Sequence, residues 1–182
     1  MALVILERFN RKFFDFLMHF AQRPSKDQVG MMLSEYLNIE RIIFVAPKDR
    51  DDALSSLCEA IALSNPKLSK QKIFQAVIER EKIVSTGIGG SVALPHAKLE
   101  ELSEFVIAVA ICQGPGVEWN SLDGEPVKCV FMILGPSYHQ KAYLKLLSKL
   151  TILIRQERFL KALSIASKPE TILKVFQQYE AV

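Results

Sequence analysis

Residues 79–98 read EREKIVSTGIGGSVALPHAK. A helical pattern runs out at Arg80, Glu81 and Lys82, and a glycine-rich loop follows from Ser85 to Gly90. Val92-Ala93-Leu94 is a short strand-like run, halted by Pro95, and His96 and Lys98 come next. Proline fixes its own φ and forces the residue before it to be extended, which places His96 at a strand end, near the surface. Glycines let successive backbone N–H groups point at one spot, making a nest for an anion, and Ser85 and Thr86 add hydroxyl donors.

Two nucleotide motifs fail here. A P-loop needs Gly-Lys before a helix, and the loop has no such pair. A dinucleotide fingerprint needs a third glycine where Val92 stands, and it needs a helix where this pattern gives a strand. What remains is an imidazole beside cations. A neutral imidazole is a good nucleophile toward phosphorus. Arg80 and Lys98 would oppose its protonation and attract phosphoryl oxygens. Such transfers need mainly positioning and charge stabilisation.

Outward from this segment, helix-like and strand-like pieces alternate. On the N-terminal side, Ile42–Val45 is a short β-branched strand, and Lys48–Asp52 supplies capping carboxylates. Leu54, Leu57, Cys58 and Ile61 recur at helical spacing until Asn65-Pro66. Ser69 caps the next helix, whose inner face carries Ile73, Phe74, Val77 and Ile78. On the C-terminal side, 105–111 and 127–134 are apolar runs that read as buried strands. Val117-Glu118-Trp119 is strand-like, and Asp123-Gly124 is a hairpin signal. Capping boxes at Ser137–Gln140 and Ser167–Glu170 open two helices. The first of these carries Leu144, Leu147, Leu150, Thr151 and Ile154 as its inner stripe. The class is α/β, a mixed β-sheet flanked by helices.

The chain has 182 residues, 49% hydrophobic and 24% charged, with a net charge of +3. This suits one globular domain with a short appendage, and gives no argument for nucleic acid. Cys58, Cys112 and Cys129 form no framework and read as reduced core fillers, hence a cytoplasmic protein. No metal site and no cofactor is expected, because the cysteines and the three histidines are scattered. No apolar stretch is long enough to span a membrane. Residues 1–30 read as an N-terminal helical appendage or linker, Phe-rich and basic, and 31–182 as the functional domain. Only that segment, or a membrane partner, would bring the chain to a membrane.

The run from Arg80 to Lys98 resembles the signature of the type-2 enzyme IIA domains (fructose, mannitol and nitrogen classes) of the bacterial phosphotransferase system. A second block, Gly116-Val-Glu-Trp-Asn-Ser-Leu-Asp-Gly-Glu-Pro-Val127, followed by an apolar strand and Gly135-Pro136, resembles the same family. The likeness spans roughly residues 32–180. It implies a type-2 IIA fold and phosphorylation of His96, the histidine of the Pro-His pair. Beside it, Arg80 and Tyr143 are expected to assist, with Ser85, Thr86, Gly87, Gly89 and Lys98 binding the phosphoryl group. It implies a phosphotransferase component served by the histidine phosphocarrier protein. The favoured role is that of a nitrogen-class regulator acting on other proteins, because the chain carries no IIB or IIC segment. The alternative is a sugar-specific IIA that hands the group to a IIB domain.

One departure stands out. Many relatives carry a second histidine where this chain has Tyr143, before Leu144. His139 lies four residues earlier, one helical turn toward the N-terminus. Either Tyr143 donates its O–H to a phosphoryl oxygen, or His139 reaches across. Tyr143 is favoured, since an offset of about 6 Å is long for replacing a direct hydrogen bond.

Overall fold

The centre of the molecule is made by its two most apolar runs. Val106–Cys112 (β5) and Cys129–Pro136 (β6) pair antiparallel and are buried at every position. A strand covered on both faces needs no polar alternation, which is why these segments read as continuous apolar stretches. The structure is a computed structural model and describes residues 31–121 and 123–181. The appendage read at 1–30 lies outside the described residues.

Around β5 and β6 the other strands complete a six-stranded mixed sheet. Leu37–Val45 (β1) runs parallel to β5 and forms one edge. Gly87–Gly89 (β2), Val92–Ala93 (β3) and His96–Leu99 (β4) lie on the far side of β6. β3 and β4 both run parallel to β6, and their partners advance in step, Ala93 on Val130 and His96 on Ile133. They therefore form one strand line, interrupted only where Pro95 lacks an N–H. The Pro95 carbonyl still accepts from Ile133 N at 3.0 Å.

Helices cover both faces. Arg50–Ser64 (α1) and Lys70–Ile83 (α2) pack on the face that carries Ala108, Ala110, Val130, Met132 and Leu134. Gln140–Ile154 (α3), Glu157–Ser164 (α4) and Pro169–Glu180 (α5) cover Ile107, Val109, Phe131 and Ile133 on the other. Phe131, Phe159 and Phe176 meet there with ring centroids 5.2–6.4 Å apart. The α/β class and mixed sheet stand as read.

Several local readings are corrected. β1 begins at Leu37, not Ile42, because a bulge between Leu37 and Ile42 breaks its alternation. The glycine loop is a hairpin: β2 pairs antiparallel with β3. Gly90 and Ser91 turn it with φ of +61° and +59°, the left-handed pair of a type I′ turn. Asp49 caps α1 as expected, accepting from Asp52 N at 2.8 Å. The two capping boxes do not form. α3 starts behind His139, and α5 starts with Pro169 at its first position, where a fixed φ suits the helix. Of the Val117–Trp119 run only Val117 pairs, with Val127. On α3 the buried stripe includes Tyr143, Leu146 and Leu153, whereas Leu144 is half-buried.

Candidate functional site

His96 opens β4, directly after the proline break. Its ring sits on the face toward α3, yet it is within reach of the end of α2. A cleft of about 410 Å³ lies there, lined by Glu79 and Arg80 of α2, His96 and Lys98 of β4, and Gln140 and Tyr143 of α3. The expected surface position is corrected. His96 is only 7% exposed, at the floor of the cleft.

Two hydrogen bonds fix the imidazole. Nδ1 lies 2.8 Å from the Leu94 carbonyl, which can only accept, so Nδ1 carries the proton. The Leu94 carbonyl takes this position because Pro95 holds Leu94 extended. Nε2 then has the lone pair, and Arg80 Nε–H donates to it at 3.1 Å. Arg80 is itself held by its Nη1, which donates to the Val84 carbonyl at 3.0 Å. Burial, and next the Arg80 charge, push the His96 pKa down to about 4; Lys98 acts the same way, and the Leu94 bond opposes them. The ring is therefore neutral at pH 7, with its nucleophilic nitrogen defined.

Tyr143 faces this ring with centroids 6.2 Å apart. Its hydroxyl donates to the Ala97 carbonyl at 3.2 Å, and burial raises its pKa. Lys98 Nζ lies 5.4 Å from the Tyr143 ring centroid, within cation–π range. Gly135 makes room for this tyrosine: a Cβ there would come within 2.6 Å of both Phe105 and Tyr143. His139 is exposed at the N-cap of α3 and lines a different groove, with Glu35, Arg41 and Glu104. The structure thus brings together His96, Arg80, Lys98 and Tyr143, and leaves His139 outside.

The other four expected ligands are elsewhere. Ser85 Oγ donates to the Trp119 carbonyl at 2.7 Å and accepts from Gly87 N at 3.2 Å. Thr86 gives its N–H and its hydroxyl to the two carboxylate oxygens of Glu81, at 3.0 and 2.6 Å. Gly87 and Gly89 pack against the second block, where a Cβ would meet Ser121 at 2.7 Å and the Asp123 carboxylate at 3.1 Å. The N–H of Gly90 already donates to Asp123 at 2.7 Å. Instead of forming an anion nest, the glycine hairpin docks on Trp119, Ser121 and Asp123 of the second block.

Sequence reasoning missed Glu81. This carboxylate is 4% exposed and binds Thr86 and the indole N–H of Trp119, the latter at 3.1 Å. A signal was present. Glu81 continues the buried i, i+4 series of Ile73 and Val77, so a charge stands on an apolar stripe. Among the described residues no group of three metal-ligating side chains occurs, and no helix is long and apolar enough to cross a membrane.

A model of the family described as phosphoenolpyruvate-dependent sugar phosphotransferase system, EIIA 2, matches residues 35–179. The nitrogen regulatory protein of Escherichia coli is 29% identical over 160 residues, covering 86% of this chain and 96% of that protein. The fructose-specific EIIABC component of Bacillus subtilis is 28% identical over 151 residues, but the chain spans only 24% of its length. Nitrogen regulatory protein IIA-Ntr from Neisseria meningitidis superposes with a TM-score of 0.73 at 25% identity, covering 79% of this chain and 98% of that one.

Proposed function

Since the chain belongs to the EIIA 2 family of the phosphoenolpyruvate-dependent sugar phosphotransferase system, we propose that it is a phosphoryl carrier whose acceptor is Nε2 of His96. The observation that carries this is the paired bonding of the ring, Nδ1 to the Leu94 carbonyl and Nε2 to Arg80. The donor is the phosphorylated histidine phosphocarrier protein. The Nε2 lone pair attacks its phosphorus, the donor's P–N bond breaks, and the leaving imidazole keeps that electron pair. Nδ1 retains its proton, so the positive charge that develops on the His96 ring is held by the Leu94 carbonyl. Arg80 must leave Nε2 as phosphorus arrives, and its guanidinium then has the phosphoryl oxygens within reach. Lys98, exposed at the cleft mouth, adds a second cation. Group transfer between two histidines, without a substrate turned over to a free product, is the sense in which the chain is a transferase component.

The role is regulatory in this reading. The nitrogen regulatory proteins of Escherichia coli and Shigella flexneri match over 96% of their length, and the Neisseria meningitidis structure over 98% of its chain. A phosphate on His96 would place about two negative charges in a cleft lined by Arg80 and Lys98, changing the surface that a partner protein meets. The cytoplasm is the fitting compartment for three buried free thiols. To test the role, binding partners are captured with wild-type protein in both phosphorylation states. State-dependent capture of a protein outside the phosphotransferase system supports regulation; capture of a IIB domain alone, with transfer to it, supports sugar transport instead.

A further inference from the structure

Glu81 is an expensive residue where it stands. A carboxylate taken out of water costs several kcal/mol unless well compensated. It also lies in the last turn of α2, where the helix dipole disfavours negative charge. Among the described residues it forms no ion pair. Three neutral donors compensate it, the Thr86 N–H at 3.0 Å, the Thr86 hydroxyl at 2.6 Å and the Trp119 indole N–H at 3.1 Å, and the charge of the neighbouring Arg80 adds a coulombic attraction.

These bonds act on the short strap 84–86, which leaves α2. Glu81 holds the far end of the strap at Thr86. Ser85 fastens its middle to the Trp119 carbonyl at 2.7 Å. The near end is Val84, whose carbonyl accepts from Arg80 Nη1 at 3.0 Å. The same guanidinium directs its Nε at His96 Nε2, 3.1 Å away. The direction of the Val84 carbonyl therefore sets the aim of the guanidinium, and the strap's anchorage sets that carbonyl.

We propose that Glu81 is a positioning residue: by tying Thr86 and Trp119 to the end of α2 it fixes the Val84 carbonyl, and so aims Arg80 at Nε2 of His96. The catalytic consequence rests on His96 being the phosphoryl acceptor. The positional consequence does not. The charged and titratable groups around the His96 ring are Arg80 and Glu79 from α2, Lys98 from β4 and Tyr143 from α3. Arg80 makes the direct contact with Nε2. Glu81 touches neither His96 nor the cleft.

The test uses the full chain and two separate readouts. The first is NMR titration of the His96 ring without any phosphoryl donor. The second is the rate of phosphorylation by the histidine phosphocarrier. Glu81→Ala and Thr86→Val should raise the His96 midpoint from its value of about 4, and slow phosphorylation by about tenfold or more. Glu81→Gln keeps an acceptor for the Thr86 and Trp119 N–H groups and should recover much of both. On an Arg80→Ala background, Glu81→Ala should change neither readout further. The proposal is overturned if folded Glu81→Ala titrates and labels like wild type. It is equally overturned if Glu81→Ala has its full effect without Arg80. Should Glu81→Ala not fold, Thr86→Val decides, since it removes one donor to the carboxylate and keeps the rest. A wild-type protein that takes up no phosphoryl group refutes the carrier reading, and the titration still decides the role of Glu81.

Discussion

At the scale of single residues, the central feature is a histidine kept neutral by burial and by a guanidinium. The ordinary value of 6.5 falls to about 4 in the folded chain. The unfolded chain therefore binds a proton at higher pH than the folded one. Stability from this group is fully present above about pH 6.5 and is lost as the pH falls toward about 4, in total about 3 kcal/mol. Denaturant titrations at pH 7 and pH 4.5 should show this loss in wild type and a smaller one in His96→Ala. His96→Ala itself should fold, at a cost of about 1–2 kcal/mol, because it leaves the Leu94 carbonyl and Arg80 without their buried partner. Tyr143 gives a second prediction. Its O–H is engaged with Ala97, so its contribution is the position of the ring and a hydroxyl that can turn to a phosphoryl oxygen. Phosphorylation and dephosphorylation rates should change several-fold in Tyr143→Phe and not in His139→Ala. The reverse pattern would assign the assisting role to His139.

At the scale of elements, the cleft depends on close approaches that only glycine permits. Gly135→Ala would drive a methyl group into Phe105 and Tyr143 at 2.6 Å. Overpacking of this kind costs about 2 kcal/mol. Because Tyr143 is one of the displaced rings, phosphorylation should slow along with the loss in melting temperature. A variant that melts like wild type would show that α3 can move away freely. The elements also show how far the sequence was legible. The helices α1 and α2 followed from periodicity, since Leu54, Leu57, Cys58, Ile61, Ile73 and Val77 are all fully or almost fully buried. β5 and β6 followed from their unbroken apolar runs. Four of the expected site residues, His96, Arg80, Lys98 and Tyr143, line one cleft in the structure. The glycine loop was misread because φ-permissive residues suit an anion nest and a type I′ hairpin equally well. Only the tertiary partners, Trp119, Ser121 and Asp123, distinguish the two. β1 was cut short because its bulge carries Asn38, Glu40 and Arg41. Glu81 passed as part of a charged helix end because its partners lie 5 and 38 residues away.

At the scale of the whole molecule, the chain places its site at the seam between two helical layers. α2, from the layer on one face of the sheet, supplies Arg80, and α3, from the other, supplies Tyr143, while β4 carries His96 between them. Within the layer of α3, α4 and α5, the Glu180 carboxylate accepts from the N–H groups of Leu33 and Ser34. This ties the end of α5 to the turn that leads into β1. Glu180→Ala should cost about 1–3 kcal/mol by leaving two backbone donors unpaired, and should not alter the phosphorylation rate, since it lies away from the cleft. Equal slowing of labelling would mean that this contact is coupled to the cleft. The central claim is that the molecule is a carrier with one acceptor atom, and it is tested by mapping the phosphoryl group itself. Wild-type protein is incubated with phosphoenolpyruvate, enzyme I and the histidine phosphocarrier, then analysed by phosphorus and nitrogen NMR. The expected product is a base-stable, acid-labile phosphohistidine, one phosphoryl group per chain on Nε2 of His96, absent from His96→Ala. A phosphoryl group on Nδ1, on another residue, or undiminished in His96→Ala would contradict it.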